Sequence, residues 1–180
     1  MKKKILVTVP AALLLLALYI IIFGFSSQDG EQSGNLSRLI SEKCVEFINS
    51  LSGSPWNEVV MNKLAEYFEH PIRKLAHFSE YACMGGLVYI ILSQWMTRGK
   101  PRYLVTVLWV FLSASADEFH QLFVPGRYGS LADVLLDTCG GVTGMGICVF
   151  IRKFYKGSVL RKRNKKRDIS GKEPGNGIKK

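Results

Sequence analysis

Residues 5–25 read ILVTVPAALLLLALYIIIFGF, 21 positions without a charge. At about 1.5 Å of rise per residue, a helix of that length covers a hydrocarbon core of roughly 30 Å. Three further blocks, Leu75–Met96, Tyr103–Phe123 and Leu131–Phe154, have similar lengths and carry polar residues near one end. The pattern predicts an all-α membrane protein, a bundle of four transmembrane helices. Lys2, Lys3 and Lys4 precede the first block, as in a signal peptide. Its apolar run nevertheless exceeds an h-region of about 7–15 residues, and no A-x-A-like site follows. A retained helix is expected, with Pro10 placed to kink it.

Charge orders these blocks relative to the membrane. The net charge of +10 resides in residues 152–180, where 12 Lys/Arg face two acidic residues; residues 1–151 balance 12 against 12. With the amino terminus inside, residues 1–4, the loop Thr97–Arg102 and the tail hold 18 of the 24 Lys/Arg, which satisfies the positive-inside rule. A multi-pass membrane protein with both termini cytoplasmic is expected. The tail beyond residue 154 reads as disordered, because Gly171, Pro174, Gly175 and Gly177 interrupt any helix. Its expected partner is anionic lipid rather than nucleic acid. Cys44, Cys83, Cys139 and Cys148 have neither disulfide-framework nor zinc-type spacing, so no metal site is expected.

The outer segment, residues 26–72, is too polar to cross. Leu36, Leu39, Ile40, Phe47, Ile48 and Leu51 fall near a helical period, as do Trp56, Val59, Val60, Leu64, Tyr67 and Phe68. Two short amphipathic helices are expected there, burying these stripes against the outer surface or the bundle. Ser54-Pro55 should open the second, and it should end before His70-Pro71.

Glu80, Asp117, Glu118, Asp133 and Asp137 crowd the outer edge of the apolar blocks, with His77, His120, Arg73, Lys74 and Arg127. Intramembrane charge is costly, so such residues mark a functional site by default. Counting helical rise, Glu80, Asp117 and Asp137 each lie roughly 10 Å below the outer edge. Lys74, His77, Phe78 and Tyr81 share one helix face, Asp117 and Gln121 another, and Asp133 and Asp137 a third. A shared, wet pocket follows. Five acids against three bases leave a deficit that a proton, a cation or a substrate amine would fill. Pro125-Gly126-Arg127-Tyr128-Gly129-Ser130 reads as a tight turn before a helix at Leu131. Free N–H groups there, with Arg127, would bind an anion; the alternative is that Arg127 pairs with Asp133. Gly140, Gly141 and Gly144 suit close helix packing, within the chain or between copies in a homo-oligomer.

These residues resemble the VanZ-like family of small bacterial membrane proteins. The matching pieces are Ser26-Ser27-Gln28, Arg73-Lys74 through His77-Phe78 to Glu80-Tyr81, and Asp117-Glu118 with Gln121. Phe123, Pro125-Gly126-Arg127, Ser130, Asp133, Asp137 and Gly141 complete the set, which covers about residues 20–150. The resemblance implies a membrane core at residues 73–154 and a link to resistance against lipid-tailed glycopeptides such as teicoplanin.

The expected function is non-enzymatic binding of an envelope lipid or lipid-linked precursor headgroup. Arg73, Lys74 and Arg127 would hold the anionic group, with His77, Glu80, Asp117 and Asp133 orienting them. One alternative is an intramembrane enzyme using His77, Glu80, Asp117 and Glu118 for metal-dependent or acid–base chemistry, although no H-E-x-x-H or G-x-S-x-G is present. Another is a structural subunit of an envelope complex. The sequence does not identify a cofactor.

Overall fold

The computed structural model describes residues 1–53, 55–96 and 99–170, with side chains as far as residue 158. Among these are five helices and no strand: α1 (Lys2–Ser26), α2 (Gly30–Leu51), α3 (Glu58–Trp95), α4 (Lys100–Gln121) and α5 (Leu131–Ser170). Three of them, α1, α3 and α5, are long and apolar enough to cross a membrane. α4 has 22 residues but carries Lys100, Arg102, Asp117 and Glu118 at its ends.

The central element is α3, which touches each of the other four helices. At one end of the molecule, Trp95 Nε1 donates to Thr8 Oγ1 at 3.0 Å and the Lys4 ammonium lies 5.6 Å from the Trp95 ring centroid. Arg102, 4% exposed, stacks there over Tyr89 and Tyr103. At the opposite end Arg127 bonds the α1–α2 junction and Lys74 pairs with Asp133. α1 and α4 therefore run antiparallel to α3, while α5 runs parallel to it.

Hydrophobicity gives little drive for helix association where the surroundings are equally apolar, so small residues set the contacts. A Cβ on Gly144 would strike the Ala82 backbone, one on Gly140 the Phe78 backbone, and one on Gly85 the Gly141 backbone. The α3–α5 seam thus places Gly140, Gly141 and Gly144 within the chain. Ile22, Tyr81, Met84, Val88, Val110, Ala114 and Val134 fill the core beside it. Leu13, Leu14, Leu16 and Ile20 of α1 stay outward.

Three expectations for the outer segment and one for the tail require correction. First, the face that α2 buries is Ser33, Ser37, Ser41 and Val45. Serines permit close approach and satisfy their hydroxyls on carbonyls: Ser41 Oγ donates to Ala65 O at 2.6 Å, and Ser37 Oγ to Ser33 O at 2.7 Å. Leu39, Phe47, Leu51 and Tyr67 are turned outward instead. Second, α3 opens at Glu58, where Asn57 Oδ1 accepts from Val59 N at 3.0 Å; Ser54 lies outside the described residues. Third, α3 does not end before Pro71. The proline removes one backbone bond, at a cost of about 3 kcal/mol in a helix interior. Contacts with α2 flank it, through Ala65 on one side and Arg73 to Ser37 on the other, and the helix continues past it. Fourth, α5 continues to Ser170, so residues 155–170 are helical, as Lys/Arg-rich sequence without proline permits.

Candidate functional site

A polar cavity of about 220 Å³ opens where α3, α4, α5 and the 125–130 turn converge. α3 lines it with Arg73, Lys74 and His77, one turn of helix carrying three polar groups on adjoining positions. Glu118 and Gln121 come from the end of α4, Arg127 from the turn, and Asp133 and Asp137 from the first two turns of α5. The two aspartates share a face because they are four residues apart.

Most of these groups are already partnered. The Lys74 ammonium pairs with Asp133. Arg73 Nη2 donates to Glu69 Oε1 at 2.7 Å and its Nε to Ser37 Oγ at 3.4 Å. Arg127 does not pair with Asp133. Its Nε donates to Gln28 O at 3.1 Å and its Nη2 to Phe25 O at 2.9 Å, which ties the turn to the α1–α2 junction. Gly30 N completes that junction by donating to Pro125 O at 3.0 Å, and Gly126 beside it has φ +72, a left-handed conformation that favours glycine. Burial first, and the nearby Arg73 guanidinium second, pull the Arg127 pKa down from its ordinary value.

The anion site expected at the start of α5 is occupied by the chain itself. Glu118 Oε2 accepts from Ser130 N at 2.8 Å, and Ser130 Oγ accepts from Ala132 N at 3.2 Å. Asp117 Oδ2 accepts from Gln121 Nε2 at 3.3 Å. Asp137 is the exception: it is 1% exposed, and neither carboxylate oxygen has a hydrogen-bond partner among the described residues. His77 Nδ1 is likewise buried and unpartnered.

The sequence-selected residues distribute over three adjoining cavities rather than one. Arg73, Lys74, His77, Glu118, Gln121, Arg127, Asp133 and Asp137 line the polar one. Glu80 faces a second, between α2 and α3, of about 190 Å³; Leu36, Ile40 and Ile72 supply its apolar wall, and Arg73, His77 and Arg127 face both cavities. Tyr81 and Asp117 line a third, of about 470 Å³, between α1 and α4. Its wall is aromatic and apolar, with Tyr19, Phe23, Trp109 and Leu112; Trp109 Nε1 donates to Tyr19 OH at 2.9 Å, and Tyr19 OH shares a 2.6 Å hydrogen bond with Ser113 Oγ. His120 borders this cleft and packs on Phe23 with ring centroids 4.9 Å apart.

Sequence reasoning passed over Glu69, although its i, i+4 spacing to Arg73 was readable, and the carbonyls of Phe25 and Gln28, whose only sequence trace is the Ser26-Ser27-Gln28 piece. Among the described residues no three His, Cys, Asp or Glu side chains converge as a metal-holding group.

Apolar helices exposed along their length and a charged cavity at one end define an all-helical membrane protein. The VanZ/LLP1 family model matches residues 11–152, most of the chain, and the protein belongs to that family. No curated protein and no solved structure matches it.

Proposed function

We propose that this VanZ/LLP1 protein crosses the membrane four times, with both termini cytoplasmic, and binds the anionic headgroup of an envelope lipid at its outer side. α4 runs between the same two ends of the molecule as its neighbours, which supports its counting as a crossing. The uneven loop charge supports the orientation. One observation carries the binding reading: Arg73, His77 and Arg127 stand at the boundary between a polar cavity and an apolar one. That boundary offers an amphiphile a place for its head and, alongside, a place for hydrocarbon. Each guanidinium has five N–H donors, and the internal bonds leave some of them free for a phosphate between the two.

Lipid retained by the purified protein, identified by mass spectrometry, addresses this directly. Wild type should carry phospholipid through detergent exchange, and Arg73→Gln should lose it while the protein remains folded. Equal retention by both would end the reading. Occupation of envelope lipid at the outer face also gives a route to lowered susceptibility to lipid-tailed glycopeptides. Expression in a sensitive host should raise the inhibitory concentration of teicoplanin, and unchanged susceptibility would remove this part of the reading.

A further inference from the structure

The charge inventory of the polar cavity restricts what an occupant can be. Pairing removes Lys74 with Asp133 and Arg73 with Glu69. Arg127 then remains as the cation, against Asp137 and Glu118 in the cavity wall and Asp117 and Glu80 in the walls adjoining it. Any of these acids that stays ionised lacks a counter-charge, and an uncompensated buried charge costs several kcal/mol, so a cationic group is better accommodated beside them than a further anion. The unspent hydrogen-bonding capacity points the same way. Besides His77 Nδ1, the buried group of the cavity wall that lacks a partner among the described residues is the Asp137 carboxyl group, 1% exposed, with both oxygens free of donors. Both oxygens can accept, and a donor that also carries positive charge would complete the group and hold it as the carboxylate. Arg73 and Arg127 lie at the mouth shared with the apolar cavity, while Asp137 sits one helical turn beyond Asp133 along α5.

We infer that the headgroup bound here is zwitterionic: an anionic phosphate held at Arg73 and Arg127, and a primary ammonium seated on Asp137 deeper in the cavity. This rests on the headgroup-binding reading and narrows it to an aminophospholipid-type ligand. The ammonium supplies the missing donors and leaves the net charge of the site unchanged. A glycerol headgroup would bring donors without the compensating charge. A choline headgroup would bring the charge without an N–H.

The full-length protein in detergent can be titrated with phosphatidylethanolamine, phosphatidylglycerol and phosphatidylcholine of identical short chains, reading affinity by native mass spectrometry. Phosphatidylethanolamine should bind about tenfold or more tightly than either rival, the usual size of one charge-assisted hydrogen bond. Asp137→Asn should bring it down to the phosphatidylglycerol level, whereas Arg73→Gln should weaken all three. Equal binding of phosphatidylethanolamine and phosphatidylglycerol by wild type would overturn the ammonium seat and leave the headgroup reading standing. Binding of none would overturn both. Soluble phosphoethanolamine provides the remaining arm. Competition by it at the affinity of the lipid would uphold the ammonium seat and overturn the lipid as its source. The wild-type comparison needs no variant, so it decides even if Asp137→Asn fails to fold.

Discussion

Asp137 is the residue at which stability and binding pull apart. A carboxyl group buried without a hydrogen-bond partner costs stability in either protonation state, and a well-packed apolar replacement removes that cost. Asp137→Leu should therefore raise the thermal midpoint of the lipid-free protein in detergent while reducing retention of phosphatidylethanolamine to that of phosphatidylglycerol. A lower midpoint would mean that the side chain is structurally satisfied. Lys74 and Asp133 should behave in the opposite way, since each completes the other. A double-mutant cycle with Lys74→Met and Asp133→Asn should give a coupling of about 0.5–3 kcal/mol, with each single change costing more than the pair together. At this scale much was legible in advance. Spacing put Lys74 and His77 on one helix face and Asp133 and Asp137 on another, and all four line the polar cavity. Glu80 and Asp117, counted to the same depth as Asp137, line the other two. The partner of Arg127 was not legible, because its acceptors are the backbone carbonyls of Phe25 and Gln28, which any residue type supplies.

Among the elements, the α3–α5 seam is held by absent side chains. Gly144 and Gly146 make a matched pair two positions apart on α5: a Cβ at Gly144 meets the Ala82 backbone, and one at Gly146 meets open space. Gly144→Ala should cost about 1–3 kcal/mol, as overpacking does when backbone rather than a flexible side chain must yield. Gly146→Ala should be neutral or stabilising by up to about 1 kcal/mol, the ordinary gain of replacing glycine within a helix. Denaturation of both variants in one detergent checks the contrast, and equal effects would place the close approach elsewhere. Periodicity had marked the glycine face but could not name the helix it meets. It misplaced the interior of the α2–α3 hairpin for a related reason. A stripe of leucines and phenylalanines was the stronger signal, but the serine stripe gives the closer approach and leaves its hydroxyls satisfied on helix carbonyls. Pro71 misled similarly: the local preference to stop is real, and tertiary contacts on both sides outweigh it.

For the molecule as a whole, the arrangement turns on which end faces outward, and a native cysteine can report it. Cys44 is exposed on α2, at the cavity end of the molecule and outside the apolar blocks. Cys83 and Cys139 are also exposed laterally, but helical rise places them roughly 15 Å beyond Arg73 and 12 Å beyond Leu131, level with the apolar belt. With the cavity facing outward, a membrane-impermeant maleimide added to intact cells should label one site, and Cys44→Ser should remove the signal. Cys83 and Cys139 should stay silent even after permeabilisation, because lipid covers them and the water-soluble maleimide does not reach them. Labelling of Cys44 only after permeabilisation would invert the orientation and turn the polar cavity, with any headgroup it takes, toward the cytoplasmic leaflet. Labelling of Cys83 from outside would instead put water where the α3–α5 seam faces lipid, and the fourfold crossing would have to be redrawn.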